Sequence, residues 1–292
     1  MTIKHLVLGG GGAAGFTIYG ALKKLNTNNF FDFKNIKSIH ACSAGSIIAG
    51  LILIEQNWDL LDDYILKRPW DKLININPSS ILNLWQQKGV FNENIMKEII
   101  KPFLQAKDYS VDITLKDIYD ITGIELFVYT TNINSLSLET NVLNYKTFPD
   151  LELYKAITMS SAFPLMFEPI CIDGSCYIDG GLLNNFPLNE CVNLNEDTKE
   201  ILGIKIESNN ENREKIQSDT VLPLYLYNII FKMYVLINNM NTHVDIKNII
   251  TCNIKDNTFS KWSAAVSETN VRQEYIDIGI EYAEKFLATK DF

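Results

Sequence analysis

Ser43 stands in Ala41-Cys42-Ser43-Ala44-Gly45, a run of small residues between an apolar segment and one with helical spacing. That setting suits a nucleophile, because small neighbours let a strand-to-helix turn adopt the strained backbone that lifts Oγ clear of a sheet. The stretch is one residue away from G-x-S-x-G, with Ala41 where that pattern has its leading glycine. A serine capping the following helix would read the same way. Cys42 alternates to the other side of the turn and points into the core. A second turn, Gly9-Gly10-Gly11-Gly12-Ala13-Ala14-Gly15, follows the apolar Leu6-Val7-Leu8. Amides left unobstructed at a helix N-terminus suit any anion. Neither nucleotide pattern fits: no acidic residue closes the second strand, as a dinucleotide site needs, and the turn has no Walker lysine. A hydroxyl at its ordinary pKa also needs a base. Of three histidines, His5 and His40 lie in strands and His243 follows a long helix in what reads as a surface turn. Asp179 closes a strand and precedes Gly180-Gly181, a setting that also suits a plain turn former.

These residues demand two β-α units near the N-terminus. Residues 3–8 and 36–41 read as buried strands. Phe16, Tyr19, Leu22 and Leu25 recur at helical spacing after the first, and Ile47, Ile48, Leu51 and Ile54 after the second. A β-α-β-α opening implies a parallel sheet covered by helices. Residues 58–120 read as helical, broken at Pro69 and Pro78, with no strand and with Pro102 ending a helix near Phe103. They are expected as a helical insertion beside the sheet. Strands resume at 125–130 and 138–144, and a helix spans 151–160. A hairpin turning at Asp173-Gly174-Ser175 then runs into Asp179. A strand at 201–206, a polar loop at 207–219, a helix at 224–239, a strand at 248–254 and an amphipathic helix at 274–287 complete the chain. No repeat or linker divides it, so residues 1–292 are expected to form one domain.

Composition narrows the function classes. Of 292 residues 47% are apolar, enough for a large core. The net charge of −9 and the lack of a basic stripe exclude a general nucleic-acid binder and disfavour adhesion to anionic membranes. Cys42, Cys171, Cys176, Cys191 and Cys252 are odd in number and show no C-x-x-C spacing, so reduced, buried thiols and no metal site are expected. The N-terminus runs straight into a strand, so no cleavable signal is expected. The apolar run at 221–237 is interrupted by Asn228 and Lys232 and is short for a membrane span; it reads as a buried or interfacial helix. The expectation is a cytoplasmic protein, peripheral to membranes at most.

Four motifs in order give a more specific expectation. Gly10-Gly11-Gly12-Ala13-Ala14-Gly15 resembles the G-G-G-x-R/K-G motif of the patatin-like phospholipases, and Ser43-Ala44-Gly45-Ser46 their serine elbow. Ser160-Ser161-Ala162-Phe163-Pro164 with Phe167-Glu168-Pro169 is similar to their A-S-x-A-x-P…F-x-P segment. Asp179-Gly180-Gly181 with Asn185-Phe186-Pro187 is similar to their D-G-G/A…N-x-P signature. The resemblance spans nearly the whole chain. It implies a three-layer α/β/α fold with a mostly parallel central sheet, as one patatin-like domain over 1–292. It also implies lipid acyl-ester hydrolysis of the phospholipase A type by a Ser43–Asp179 dyad, without cofactor. Carried over by position, the amides of Gly10, Gly11 and Gly12 form the oxyanion hole, with Gly15, Gly45, Gly180 and Gly181 as supporting glycines. The implied substrate is a lipid or phospholipid at a membrane or micelle surface, and an activating protein partner is compatible with it. Two departures stand out: Ala14 replaces the family's basic residue and Ala41 its elbow glycine. They motivate a rival reading, a lipid-binding module without turnover. Another rival is a Ser43–Asp179–His243 triad, which has the right chain order.

Overall fold

The computed structural model describes residues 2–76, 84–195, 197–208, 215–255 and 258–290. In chain order the strands are β1 (His5–Leu8), β2 (Ser38–Cys42), β3 (Gly89–Phe91), β4 (Glu125–Asn132), β5 (Glu139–Leu143), β6 (Leu165–Phe167), β7 (Ile170–Ile172), β8 (Ser175–Asp179), β9 (Ile201–Ser208) and β10 (Ile249–Ile254). The helices are α1 (Gly15–Thr27), α2 (Ala44–Ile54), α3 (Trp58–Lys67), α4 (Trp70–Leu73), α5 (Asn94–Ala106), α6 (Leu115–Thr122), α7 (Leu153–Ser161), α8 (Leu188–Leu194), α9 (Leu222–Met240), α10 (Phe259–Ser267) and α11 (Thr269–Ala288).

The main sheet has the order β10-β9-β1-β2-β4-β8-β7, with β5 paired to β4. Its first five strands are parallel and the additions at the β4 end are antiparallel. Strand alternation sorts the core into two layers. Leu6, Leu8, Ile39, Ala41, Leu126 and Val128 face the large cluster under α1 and α2. Val7 faces Leu188 and Cys191 of α8 on the opposite side. The register Val7↔His40↔Phe127 puts His40 on that second side. There its ring stacks on Phe127 at 4.3 Å and Nδ1 bonds the Tyr129 hydroxyl at 2.8 Å. This is the expected sheet between helical layers.

Several expectations need correction. The 58–120 segment is not free of strands: β3 pairs with β6 in a separate two-stranded sheet. Pro102 does not end its helix, since α5 continues to Ala106. Ile99, Ile100, Phe103 and Leu104 are buried on both sides of it, while Pro102 lies on the exposed face. Burial of that apolar face offsets the missing hydrogen bond. Helix α10 had no counterpart in the sequence reading. Pro78 and residues 209–214 of the polar loop lie outside the described residues.

The cysteines are not all reduced. Cys171 and Cys176 form a disulfide, whereas Cys42, Cys191 and Cys252 are free and buried. The cause is register. Asp173 and Gly174 both adopt positive φ (51° and 79°), the pattern of a two-residue type I′ hairpin turn. The turn pairs Ile172 with Ser175, so Cys171 falls opposite Cys176 at a Cα separation of 4.0 Å.

Candidate active site

Residue Ser43 caps β2 and opens α2 with φ 50° and ψ −124°, a left-handed conformation strained for a side chain with a Cβ. Its backbone is held on both sides. The Ser43 amide donates to Ser160 Oγ at 2.9 Å, and Ser160 in turn donates to the Tyr129 carbonyl at 2.6 Å. The Ser43 carbonyl accepts from the Ser46 hydroxyl at 2.6 Å. The capping role is therefore absent, for the Ser43 side chain accepts no bond from the turn. It donates instead to Asp179 Oδ2 at 2.7 Å, across 136 positions of sequence.

The sheet explains the meeting. Strand β5 occupies one edge of β4 from Val128 to Asn132. The opposite edge is shared: β2 pairs up to Cys42↔Tyr129, and β8 takes over at Asp179↔Thr130. The two strands thus run end to end along β4 from opposite directions, and the residues at their junction are the elbow serine and the aspartate. Thr131 Oγ1 donates to the Asp179 carbonyl at 3.0 Å, and the Gly181 amide donates to Asp179 Oδ1 at 2.8 Å. Burial pushes the Asp179 carboxyl up to about 6, against the lowering effect of the Ser43 and Gly181 hydrogen bonds.

Glycine is needed here for two distinct reasons. Gly12 has φ 54°, where a side chain would be strained. A Cβ on Gly45 would lie 2.4 Å from the Leu8 carbonyl oxygen and 2.6 Å from that of Gly9, which are backbone atoms of the central strand and its turn. Gly45→Ala is therefore expected to cost about 1–3 kcal/mol by overpacking, read as a lower unfolding midpoint. Ala41 brings no such conflict. It sits in regular register between Leu8 and Val128 with its side chain in the main core. Ala14, at the position of the family's basic residue, is fully buried beside Ala265, Val271 and Tyr275.

The glycine turn lies against the serine, since a Cβ on Gly10 would come 2.9 Å from Ser43 Cβ. The Gly10 amide, expected to face an oxyanion, donates instead to the Asn185 carbonyl at 3.0 Å, and Asn185 Nδ2 returns a bond to the Gly10 carbonyl at 3.1 Å. Among the described residues no acceptor meets the amides of Gly12 and Ala44. Gly11, Gly12, Ala44, Ser43 and Asp179 all line one cavity of about 230 Å³. Its remaining wall is largely apolar and includes Ile47, Leu51, Met96, Phe163, Met166 and Phe167. Leu165, next to Met166 in sequence, is not part of it.

His243 is not brought to this cluster. It packs edge-on against Phe186 at 5.3 Å, burial lowers its pKa, and it bonds neither Ser43 nor Asp179. His5 is likewise engaged elsewhere, with Ser38. Sequence reading missed Asn238 of α9, whose Oδ1 accepts from the Asn185 amide at 2.9 Å and whose Nδ2 donates to the Gly181 carbonyl at 2.6 Å. The only local signal was a polar residue near the end of an apolar helix. Ser160 was visible within a motif, but its hold on the elbow amide was not.

Several known proteins are similar to this chain. Residues 6–192 match the family described as patatin-like phospholipase. The uncharacterized protein R571 of Acanthamoeba polyphaga mimivirus is 31% identical over 210 residues, covering 72% of this chain and 67% of that protein. The probable lipid hydrolase 463L of Invertebrate iridescent virus 6 is 32% identical over 189 residues, covering 64% and 62%. This chain thus spans about two thirds of the length of these viral relatives. Among solved structures, VipD from Legionella pneumophila aligns with 94% of this chain and 67% of its own, at 19% identity and TM-score 0.47. ExoU from the type III secretion system of Pseudomonas aeruginosa, solved in complex with SpcU, aligns with 98% and 53%, at 18% identity and TM-score 0.48. Matched to that family from the first strand to α8, the chain belongs to the patatin-like phospholipases.

Proposed function

We propose that residues 1–292 act as one catalytic unit, a lipid acyl hydrolase of the phospholipase A type that uses Ser43 and Asp179. The observation that carries this reading is the 2.7 Å hydrogen bond from Ser43 Oγ to Asp179 Oδ2 at the wall of an apolar cavity. Ser43 Oγ attacks the ester carbonyl carbon while its proton passes to Asp179. The tetrahedral oxyanion is held by the amides of Gly11, Gly12 and Ala44, the last being the residue after the nucleophile, where such elbows place a donor. Collapse breaks the ester C–O bond, and Asp179 returns the proton to the departing alcohol. Water then attacks the acyl-enzyme, gives a proton to Asp179 and releases the carboxylic acid with Ser43 restored. A carboxyl raised to about 6 is ionised at neutral pH and basic enough to share the proton. The apolar wall supports an acyl chain as the bound group. With Ala14 buried where a basic residue would stand, no cation at that position selects a phosphate headgroup.

The test is covalent labelling by a fluorophosphonate, followed by peptide mapping. The expected adduct is on Ser43, and it should be absent from Ser43→Ala. Hydrolysis of a fluorescent phospholipid and of p-nitrophenyl butyrate should accompany it. A wild type as inert as Ser43→Ala on both substrates would leave the lipid-binding module as the correct reading.

A further inference from the structure

Helix α9 has a face the fold does not use. It buries no residue, although it spans 19 positions and is dominated by apolar side chains. Its inner side carries Tyr227, Phe231 and Tyr234, which line the Ser43 cavity and pack against Phe163 with ring centroids 5.6, 6.3 and 6.2 Å away. Asn238 and Asn241 fasten its C-terminal end, the latter through the Leu183 carbonyl at 2.7 Å. Leu222, Leu226, Ile229, Met233, Leu236 and Met240 recur at intervals of three and four, so they form one stripe along the opposite side. All six are exposed, and Met233, Leu236 and Met240 are exposed by 56, 61 and 73%. Soluble surfaces rarely show such a contiguous row.

We propose that this stripe docks the protein on the surface of a zwitterionic lipid aggregate, laying α9 in the interface with the cavity directly behind it. The inference deepens the hydrolase reading by naming how its substrate reaches the site. Two features select this occupant. First, α9 is continuous with the cavity: one side of the helix is cavity wall and the other is the apolar stripe. A lipid leaving the aggregate beside α9 would therefore enter an apolar site without crossing open water. Second, charge matches a neutral interface. The helix carries a single charged side chain, Lys232, and the chain as a whole is at −9, which anionic lipid would repel. Insertion across a bilayer is not required, since no helix among the described residues is long and apolar enough to cross one. The arrangement is that of an interfacial helix whose polar side is replaced by contacts to its own protein.

The test uses the full chain and vesicles of pure phosphatidylcholine, read by co-sedimentation. Ser43→Ala serves as the parent, so binding is measured without turnover. The parent should bind, and Met233→Glu and Leu236→Glu should each weaken partitioning roughly tenfold or more, because each removes a buried apolar side chain from the interface. Ile121→Glu, on the exposed side of α6, should not change it. In the active background the double variant should lose vesicle hydrolysis yet keep wild-type turnover of p-nitrophenyl butyrate and an unchanged unfolding midpoint. Met240→Glu gives an independent substitution at the helix end. Equal vesicle binding by parent and glutamate variants would overturn the proposal, as would no binding by the parent. A concentration-dependent dimer broken by the same glutamates, without vesicle binding, would assign the stripe to a second copy instead. If the parent binds but no ester is cleaved by wild type, the hydrolase reading fails and the docking surface stands.

Discussion

Ser43→Ala is expected to lower kcat for ester hydrolysis by about 10⁵–10⁶-fold, the loss typical of removing a serine nucleophile, while leaving the fold intact. The expectation of an intact fold comes from the bonds themselves. The elbow is secured by the Ser43 amide and carbonyl, through Ser160 and Ser46, and alanine retains both. Alanine also tolerates φ 50° no worse than serine does. What disappears is Oγ and its bond to Asp179. That bond lowers the pKa of the carboxyl, so without it burial should push Asp179 further up. Steady-state kinetics with p-nitrophenyl butyrate, beside circular dichroism of the same preparations, would check the pair of expectations. A variant that folds and keeps a tenth of wild-type activity would remove Ser43 from the mechanism.

Asp179→Asn should separate catalysis from stability in opposite directions. Activity should fall by roughly 10²–10⁴-fold, the usual contribution of a general base. Stability at pH 7 should rise, by up to about 3 kcal/mol from the displaced pKa. The sign follows from burial. The folded-state pKa of about 6 lies above the ordinary carboxyl value of 3.8, so the folded protein binds the proton more tightly. The associated stability is present below pH 4 and is lost as pH rises through about 6. Asparagine stays neutral, keeps an acceptor for the Gly181 amide and can donate to Ser43 Oγ. Wild-type kcat/KM should accordingly rise with pH through an apparent pKa near 6 as Asp179 ionises. The asparagine variant should lack that limb. Urea unfolding of both proteins at pH 5 and pH 7.5 would expose the linkage. A variant less stable than wild type at the higher pH would show that burial does not destabilise the charged carboxylate.

Much of this was legible in sequence because it is written in short segments. The apolar runs before each small-residue turn, and the helical spacing after it, are local patterns, and β1, α1, β2 and α2 form where they predict. The hairpin carrying Asp179 was legible from Asp173-Gly174 for the same reason. The misses share a cause, since each depends on a partner distant in sequence or on exact register. Strand β3 is three residues long and exists only because β6 lies beside it. The Cys171–Cys176 bridge depends on register rather than on spacing alone. Pro102 was given its local meaning, while the buried face of α5 set the outcome. Asn238 carries no local sign of the two turns it ties together.

Sequence alone determined that this chain builds strand-turn-helix units, that one turn presents Ser43, and that a strand ends at Asp179. Backbone propensity, side-chain size and apolar periodicity are sufficient for such statements. Only the tertiary structure decided that the two residues meet. Strand β4 has one edge shared by β2 and β8, and the change of partner falls between Tyr129 and Thr130. No local property of either segment encodes that junction, because strand pairing is selected by the packing of the whole sheet. The same packing assigned the Gly10 amide to Asn185 and left α9 with its inner side on the cavity and its apolar stripe facing outward.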